Sequence, residues 1–300
     1  MPFVLATYNV KDLFDATDDP SRAHFDAKLA DLARHLARAN ADVVALQEVG
    51  SGAVVQALRA RLPQLGYGEP IVGTFDKRGI GCAVLARVPV RASRVHTTEA
   101  LEFPVFAVGD APPFGARMPL RRGIVHVEVD AGALGPIDVL VGHFKSNRAL
   151  PIKDAAGNEV PPTTERQYAE GHLRSLAWRG AEALFVRGLV DQVRAADPTR
   201  HVIVAGDLND PPGGIVVRVL CGGGDHALAP CADAVPEAAR FSILYKAMKQ
   251  QIDHVLVTRG LRERLTSACF FNEELRDHGE FEYEAKLPDS DHAAMVVTFA

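Results

Sequence analysis

Three hundred residues, 47% hydrophobic and 24% charged, describe an ordinary soluble globular chain able to build a large core. A net charge of −5 excludes a globally basic nucleic-acid or anionic-membrane binder, though it leaves room for a local basic groove. No run approaches the ~20 apolar residues of a membrane span. The four cysteines (Cys82, Cys221, Cys231, Cys269) show no CxxC spacing, so reduced structural thiols are expected. The N-terminal MPFVLATYNV lacks a basic n-region, an apolar h-region and a small-residue cleavage site, so the expected location is cytoplasmic.

Phe3 to Tyr8 reads as a first strand, ending at Asn9, with a polar loop to Asp15. Leu29, Leu32, Leu36 and Ala39 recur at helical spacing over 26–39, with Lys28, Arg34 and Arg38 opposite. Asp42 to Val49 is a second buried strand with Glu48 near its end. A carboxylate there is costly to bury unpaired, so it needs a partner such as a cation. A helix follows over 53–62, then a strand from Gly79 to Ala86. Arg117 to Arg122 is a basic connector, and Gly123 to Asp130 alternates apolar and polar faces. Ile137 to Gly142 is a buried strand ending in His143-Phe144-Lys145-Ser146-Asn147-Arg148. Residues 149–165 form a surface loop, and a long helix runs from Glu165 to Ala195, its arginines reading mainly as a solvated face.

The most informative stretch is HVIVAGDLNDPP, His201 to Pro212. The apolar run His201 to Ala205 reads as a strand buried on both faces. It ends in Asp207 and Asn209, whose two-residue spacing turns a carboxylate and a carboxamide the same way. An Asx-rich turn that merely ends the strand fits these residues as well. Gln250 to Thr258 is a further strand carrying Asp253, and Ser290-Asp291-His292 opens a last one, Ala293 to Phe299. No repeat or low-complexity linker divides residues 1–300, which are read as one domain. Six strands thus carry polar residues at an end or inside a run: Asn9, Glu48, His143, Asp207 with Asn209, Asp253, and Asp291 with His292. Loops at one edge of stacked sheets would gather them in a single cleft. Carboxylates and amides select a hard ion such as Mg²⁺, and histidines beside them supply proton transfer or charge.

TYNVKDLFD, DVVALQEV, RGIGCAVLAR, VGHFKSNR, VAGDLNDPP, QQIDHVLV and SDHAAMVV, in this order over nearly the whole chain, resemble the endonuclease/exonuclease/phosphatase superfamily of metal-dependent phosphoesterases. The likeness is greatest to its bacterial nuclease-like branch. The resemblance implies a four-layer α/β sandwich, two mixed β-sheets packed face to face with flanking helices. It implies Mg²⁺ or Mn²⁺ held principally by Glu48, with Asn9 and Asp291 beside it. Asp207 and Asn209 would position or activate the attacking water and bind phosphate. His292, oriented by Asp253, would act on the phosphate or as base, and His143 would contact the phosphate and help protonate the leaving group. Some nucleases of this family place an acid two residues after the Asn; here that residue is Lys11, followed by Asp12.

Arg78, Arg117, Lys145 and Asn147 lie in or beside the motifs and are read as substrate contacts, with surface pairing the competing reading for the cations. The leading expectation is a metal-dependent phosphodiesterase, a nuclease acting on DNA or RNA by in-line attack of an activated water. The alternative is a phosphatase or phosphodiesterase for a small phosphorylated metabolite or lipid headgroup, with loops 63–78, 104–122 and 149–165 deciding. A non-catalytic binding module is disfavoured, because every motif position keeps a chemically competent residue. Neither a membrane nor an obligate protein partner is expected.

Overall fold

In the computed structural model, which describes residues 2–102, 117–278 and 287–300, the apolar runs of the sequence become two sheets. In chain order the elements are β1 (Phe3–Leu13), α1 (Asp19–Ala39), β2 (Val43–Val49), α2 (Gly52–Ala60), β3 (Ile71–Val72), β4 (Gly81–Ala86), β5 (Val90–His96), β6 (Ile124–Asp130) and β7 (Pro136–His143). A small hairpin, β8 (Ile152–Lys153) and β9 (Glu159–Val160), precedes α3 (Glu165–Ala196), β10 (His201–Asp207), α4 (Ile215–Cys221) and β11 (Leu228–Pro230). A second hairpin, β12 (Ile243–Tyr245) and β13 (Met248–Gln250), leads to β14 (Asp253–Thr258), α5 (Arg259–Arg262), β15 (Leu265–Phe270) and β16 (Met295–Phe299).

One sheet has the order β15-β16-β1-β2-β4-β3, the other β11-β14-β10-β7-β6-β5. Each is mixed: β1 runs parallel to β2 and β10 parallel to β7, and their other pairings are antiparallel. Alternation along each strand sends one set of side chains between the sheets and the other toward helices. Leu5, Val43, Ala45 and Val84 meet Val127, Val139, Ile203 and Val255 in the central layer. Ala6, Tyr8, Val44 and Leu46 face Leu29, Leu32 and Leu36 of α1 and Val54 and Leu58 of α2. Leu140, Val202, Val204 and Leu256 face Val186 and Val190 of α3 and Val217 and Leu220 of α4. The expected four-layer sandwich of two mixed sheets is therefore present, and both terminal strands, β1 and β16, lie inside their sheet. Among the described residues no helix is long and apolar enough to cross a membrane.

Several sequence readings shift. The first strand continues through the expected loop to Leu13, because a bulge at Lys11 and Asp12 lets pairing with β2 resume. Helix α1 starts at Asp19, seven residues earlier than periodicity indicated; Asp18 and Ser21 form a capping box there. Strands β5 and β15 escaped notice, since their largely exposed side chains carry no apolar run. Of the α3 arginines read as a solvated face, Arg179 and Arg187 are buried, at 3% and 8% exposure. Arg187 donates to the Leu220 carbonyl and to Asp191, whereas Arg179 serves the loop after β7. Residues 104–116 of the loop expected to decide specificity lie outside the described residues.

Lys28 is also a correction. Read as lying opposite the apolar face, it is buried, because position 28 falls between Phe25 and Leu32 on the same stripe. Its ammonium reaches the Pro288 carbonyl at 3.4 Å, and burial pushes it down from 10.5 to about 8. The unfolded chain then holds more protons than the folded one between those values, so this group's cost is full below about pH 8 and fades as pH rises toward 10.5. Lys28→Met should stabilise the protein at pH 7 by on the order of 2–3 kcal/mol. Paired thermal melts at pH 7 and pH 10 test this: the gain should shrink at the higher pH, and an equal gain at both would contradict the burial argument.

Candidate active site

The register of the second sheet builds half of the site. Asp207, the last residue of β10, lies opposite Asp253 of β14 on one side and His143 of β7 on the other. Three motif ends thus stand level across three neighbouring strands. One residue earlier, Gly206 pairs with Gly142 at φ 140°, where an added Cβ would fall 1.9 Å from the Gly142 carbonyl oxygen. Only glycine permits that approach.

The first sheet supplies the opposite wall through strained backbone. Lys11, Asp12 and Glu48 have φ of 47°, 45° and 63°, and Asn209 across the cleft has 51°. Among the described residues seven non-glycine positions take positive φ, and these four belong to the motifs, the pattern expected where function fixes an unfavourable conformation. At Glu48 the twist lifts the side chain off the β2 alternation and into the cleft. Its Oε2 accepts the Asp12 amide at 3.0 Å.

Asn9 ties the walls together. Its Nδ2 donates to Glu48 Oε1 at 3.2 Å and to Asp207 Oδ2 at 3.0 Å, while its Oδ1 accepts the Lys11 amide at 3.0 Å. That backbone donor fixes which way the amide faces. Asn9 therefore presents nitrogen to the carboxylates, and the expectation that its oxygen ligates an ion does not match this arrangement. The Asp207–Asn209 pair forms the turn that was the alternative reading: Asp207 Oδ1 accepts the Asn209 amide at 2.9 Å, and Asn209 Nδ2 donates to the Phe144 carbonyl at 3.1 Å.

His292 Nδ1 lies 2.7 Å from Asp253 Oδ2, which leaves its Nε2 to face Asp207 and Asp291, each at 4.0 Å. Ser290 sets this histidine by donating its hydroxyl to the Asn9 carbonyl and accepting the His292 amide. Burial pulls the imidazolium pKa down, but Asp253, Asp207 and Asp291 together carry it well above the ordinary value, which favours the charged ring. Burial, followed by Asp253, pushes the Asp207 carboxyl up to about 7. His143 Nε2 lies 3.5 Å from Asp207 and 3.9 Å from Glu48; burial, then Arg122 and His292, holds its imidazolium well below the usual range, which favours the neutral ring.

Asp291 stands at the same cleft, with Oδ2 2.7 Å from Lys11 Nζ. The donor chemistry fits a hard divalent ion. Glu48 and Asp207 bring two carboxylates to a single amide, and Asp253 Oδ1 is buried with no hydrogen-bond partner among the described residues. Among the described residues, Asp207, Asp253 and His292 bring ligand atoms within 4.8 Å of one another. Asp253 is already committed to His292, so that trio reads as a positioned dyad beside a carboxylate.

The expected substrate contacts fare differently. Lys145 is buried, and its ammonium donates to the Ser146 and Arg148 carbonyls and the Ser146 hydroxyl, so it holds its own loop together. Asn147 Oδ1 accepts from Arg179 at 3.4 Å in the same loop. Arg78 lies at the cleft mouth, 60% exposed and 3.2 Å from Asp12. Arg117 pairs at 3.9 Å with Glu102. Sequence reading missed the groups that aim the His143 loop. Arg122 donates to the His143 carbonyl and pairs with Asp76, and Glu182 accepts the Lys145 amide at 2.7 Å. Only the position of Arg122 just before a strand hinted at this.

Two face-to-face mixed sheets, with carboxylates, an amide and two histidines gathered at one strand edge, define the phosphoesterase class of sandwich hydrolases. The chain belongs to the Endonuclease/Exonuclease/phosphatase family, whose sequence profile matches residues 6–292. It is an enzyme of that phosphoric-ester hydrolase family. No curated protein matches it by sequence. Truncated TDP2 from Caenorhabditis elegans has the same fold at 15% identity and TM-score 0.60, covering 99% of this chain and 97% of that one. An AP endonuclease from Archaeoglobus fulgidus gives 15% and 0.56 with 99% of both chains covered. The 3′ phosphatase NExo from Neisseria, bound to product DNA hairpin, gives 16% and 0.58, again over 99% of both chains.

Proposed function

We propose that this protein is a divalent-metal-dependent phosphodiesterase that hydrolyses P–O bonds in DNA or RNA, with Glu48 as the principal metal-holding residue. The observation that carries this reading is the Glu48–Asn9–Asp207 bridge facing the charged His292–Asp253 pair. A bound Mg²⁺ or Mn²⁺ supplies Lewis-acid neutralisation of the phosphate and of the developing leaving-group charge. Asp207, oriented by Asn9 and the Asn209 amide, accepts the proton of the attacking water. His292 presents a fixed positive charge to the phosphoryl oxygens, and neutral His143 offers a hydrogen bond from the β7 side. Similar solved structures named as an AP endonuclease and as a 3′ phosphatase bound to product DNA support nucleic acid as the substrate class. Exposed Arg78 at the mouth is placed to meet a backbone phosphate.

The test is turnover of bis-p-nitrophenyl phosphate and of the monoester, with EDTA, Mg²⁺ or Mn²⁺, for wild type and Glu48→Gln. Diester cleavage that needs the metal and drops at least about 100-fold in the isosteric variant is expected. Activity retained in EDTA would overturn the reading. Preference for the monoester would move it to a phosphatase. On defined oligonucleotides the rate should fall steeply with salt, and a salt-insensitive rate would argue against a polynucleotide substrate.

A further inference from the structure

We infer that Lys11 is a built-in cation that holds Asp291 away from a second metal, so that the cleft takes one divalent ion per chain. This rests on the metal-dependent reading above. Lys11 sits at φ 47°, where a lysine is disfavoured, and that conformation carries its ammonium into the acidic cleft. Nζ lies 2.7 Å from Asp291 Oδ2 and 2.9 Å from His278 Nδ1. An ammonium can only donate, so His278 Nδ1 accepts and its proton is on Nε2, which faces Asp289 at 3.5 Å. Two of the three ammonium protons thus have partners among the described residues, and the side chain keeps 32% exposure for the third.

The charges across the cleft then sort into pairs. Glu48, Asp207, Asp253 and Asp291 bring four carboxyl groups. His292 answers Asp253 at 2.7 Å and Lys11 answers Asp291 at 2.7 Å. Glu48 and Asp207 are left sharing the one Asn9 amide, and two carboxylates match one divalent ion. Asp12, the acid beside Lys11, brings no carboxylate to this cluster. Its carboxylate turns outward to Arg78 at 3.2 Å, and only its backbone amide faces Glu48. A second ion would have to take Asp291 from a tethered ammonium and sit beside that positive charge.

Mn²⁺ titration followed by electron paramagnetic resonance, without substrate, reads this directly. Wild type should bind one Mn²⁺ per chain. Lys11→Glu should bind two, and Lys11→Gln should add a second event at least tenfold tighter than any second event in wild type. Both variants should keep the wild-type melting temperature within a few degrees, because Lys11 lies at the cleft edge. Two events of similar affinity in wild type, or one event in both variants, would overturn the inference. Glu48→Gln separates this from the parent reading: it should remove the wild-type event. An ion that binds regardless of Glu48, or no binding at all, would overturn the metal-dependent reading and the inference with it.

Discussion

Asp253→Asn should lower kcat for diester cleavage by about 10²- to 10⁴-fold, the upper end being the ~10⁴-fold loss when a neutral amide replaces the carboxylate that orients the histidine of a Ser-His-Asp triad. Asp253 is 1% exposed and spends one oxygen on His292 Nδ1. An amide would keep the shape of the contact but not its charge. Burial already opposes the His292 imidazolium, and Asp253 is the leading group that overcomes it. Without that carboxylate the charged ring would lose its largest support, and the phosphoryl group would meet a less positive face. The loss should fall on kcat more than on KM, because the charge matters most as the phosphoryl group changes in the transition state. Asp207 would lose its nearest like charge, so the fold should not suffer. Steady-state kinetics and a thermal melt check both halves. A variant within threefold of wild-type kcat would mean that His292 does not act through Asp253.

The parts of this site that could be read from the sequence are those written locally. Apolar runs such as His201 to Ala205 and Val43 to Leu46 became central strands, and the polar residues ending them became the cleft. The run specifies burial, and the abrupt change to Asp or Glu marks where a strand leaves the core. Roles set by distant partners were not legible. Lys145 looked like a phosphate clamp, and Arg179 looked like part of the solvated face of α3. Lys145 is consumed by three acceptors within its own loop, and Arg179 by carbonyls more than thirty residues away. Backbone strain is similarly hidden: the sequence marks Glu48 as a carboxylate near a strand end, but not the φ of 63° that aims it. Lys11 was visible as a departure, but its partners Asp291 and His278 lie about 270 to 280 residues on.

Arg122→Met should cost about 3–5 kcal/mol of stability, because it strands a buried carboxylate. Arg122 is 6% exposed, with Nη2 2.9 Å from Asp76 Oδ2 and Nη1 donating to the His143 carbonyl at 3.2 Å. The Asp76 side chain is 2% exposed and otherwise has the amides of Arg78 and Ile80, with Arg121 at 3.8 Å. Methionine fills the stem of the arginine but answers none of that charge. At about 2–4 °C per kcal/mol for a chain of this size, the melting temperature should fall by roughly 6–20 °C. Activity should fall as well, since the carbonyl that Arg122 grips belongs to His143. Asp76→Asn on its own should cost less, because a buried amide is cheaper than a buried charge. Combined with Arg122→Met it should recover part of the loss, giving a coupling energy of at least about 1 kcal/mol in a double-mutant cycle. Strict additivity would show that the guanidinium acts through the loop carbonyls alone. A melting temperature unchanged in Arg122→Met would show that Arg121 can carry Asp76 without it.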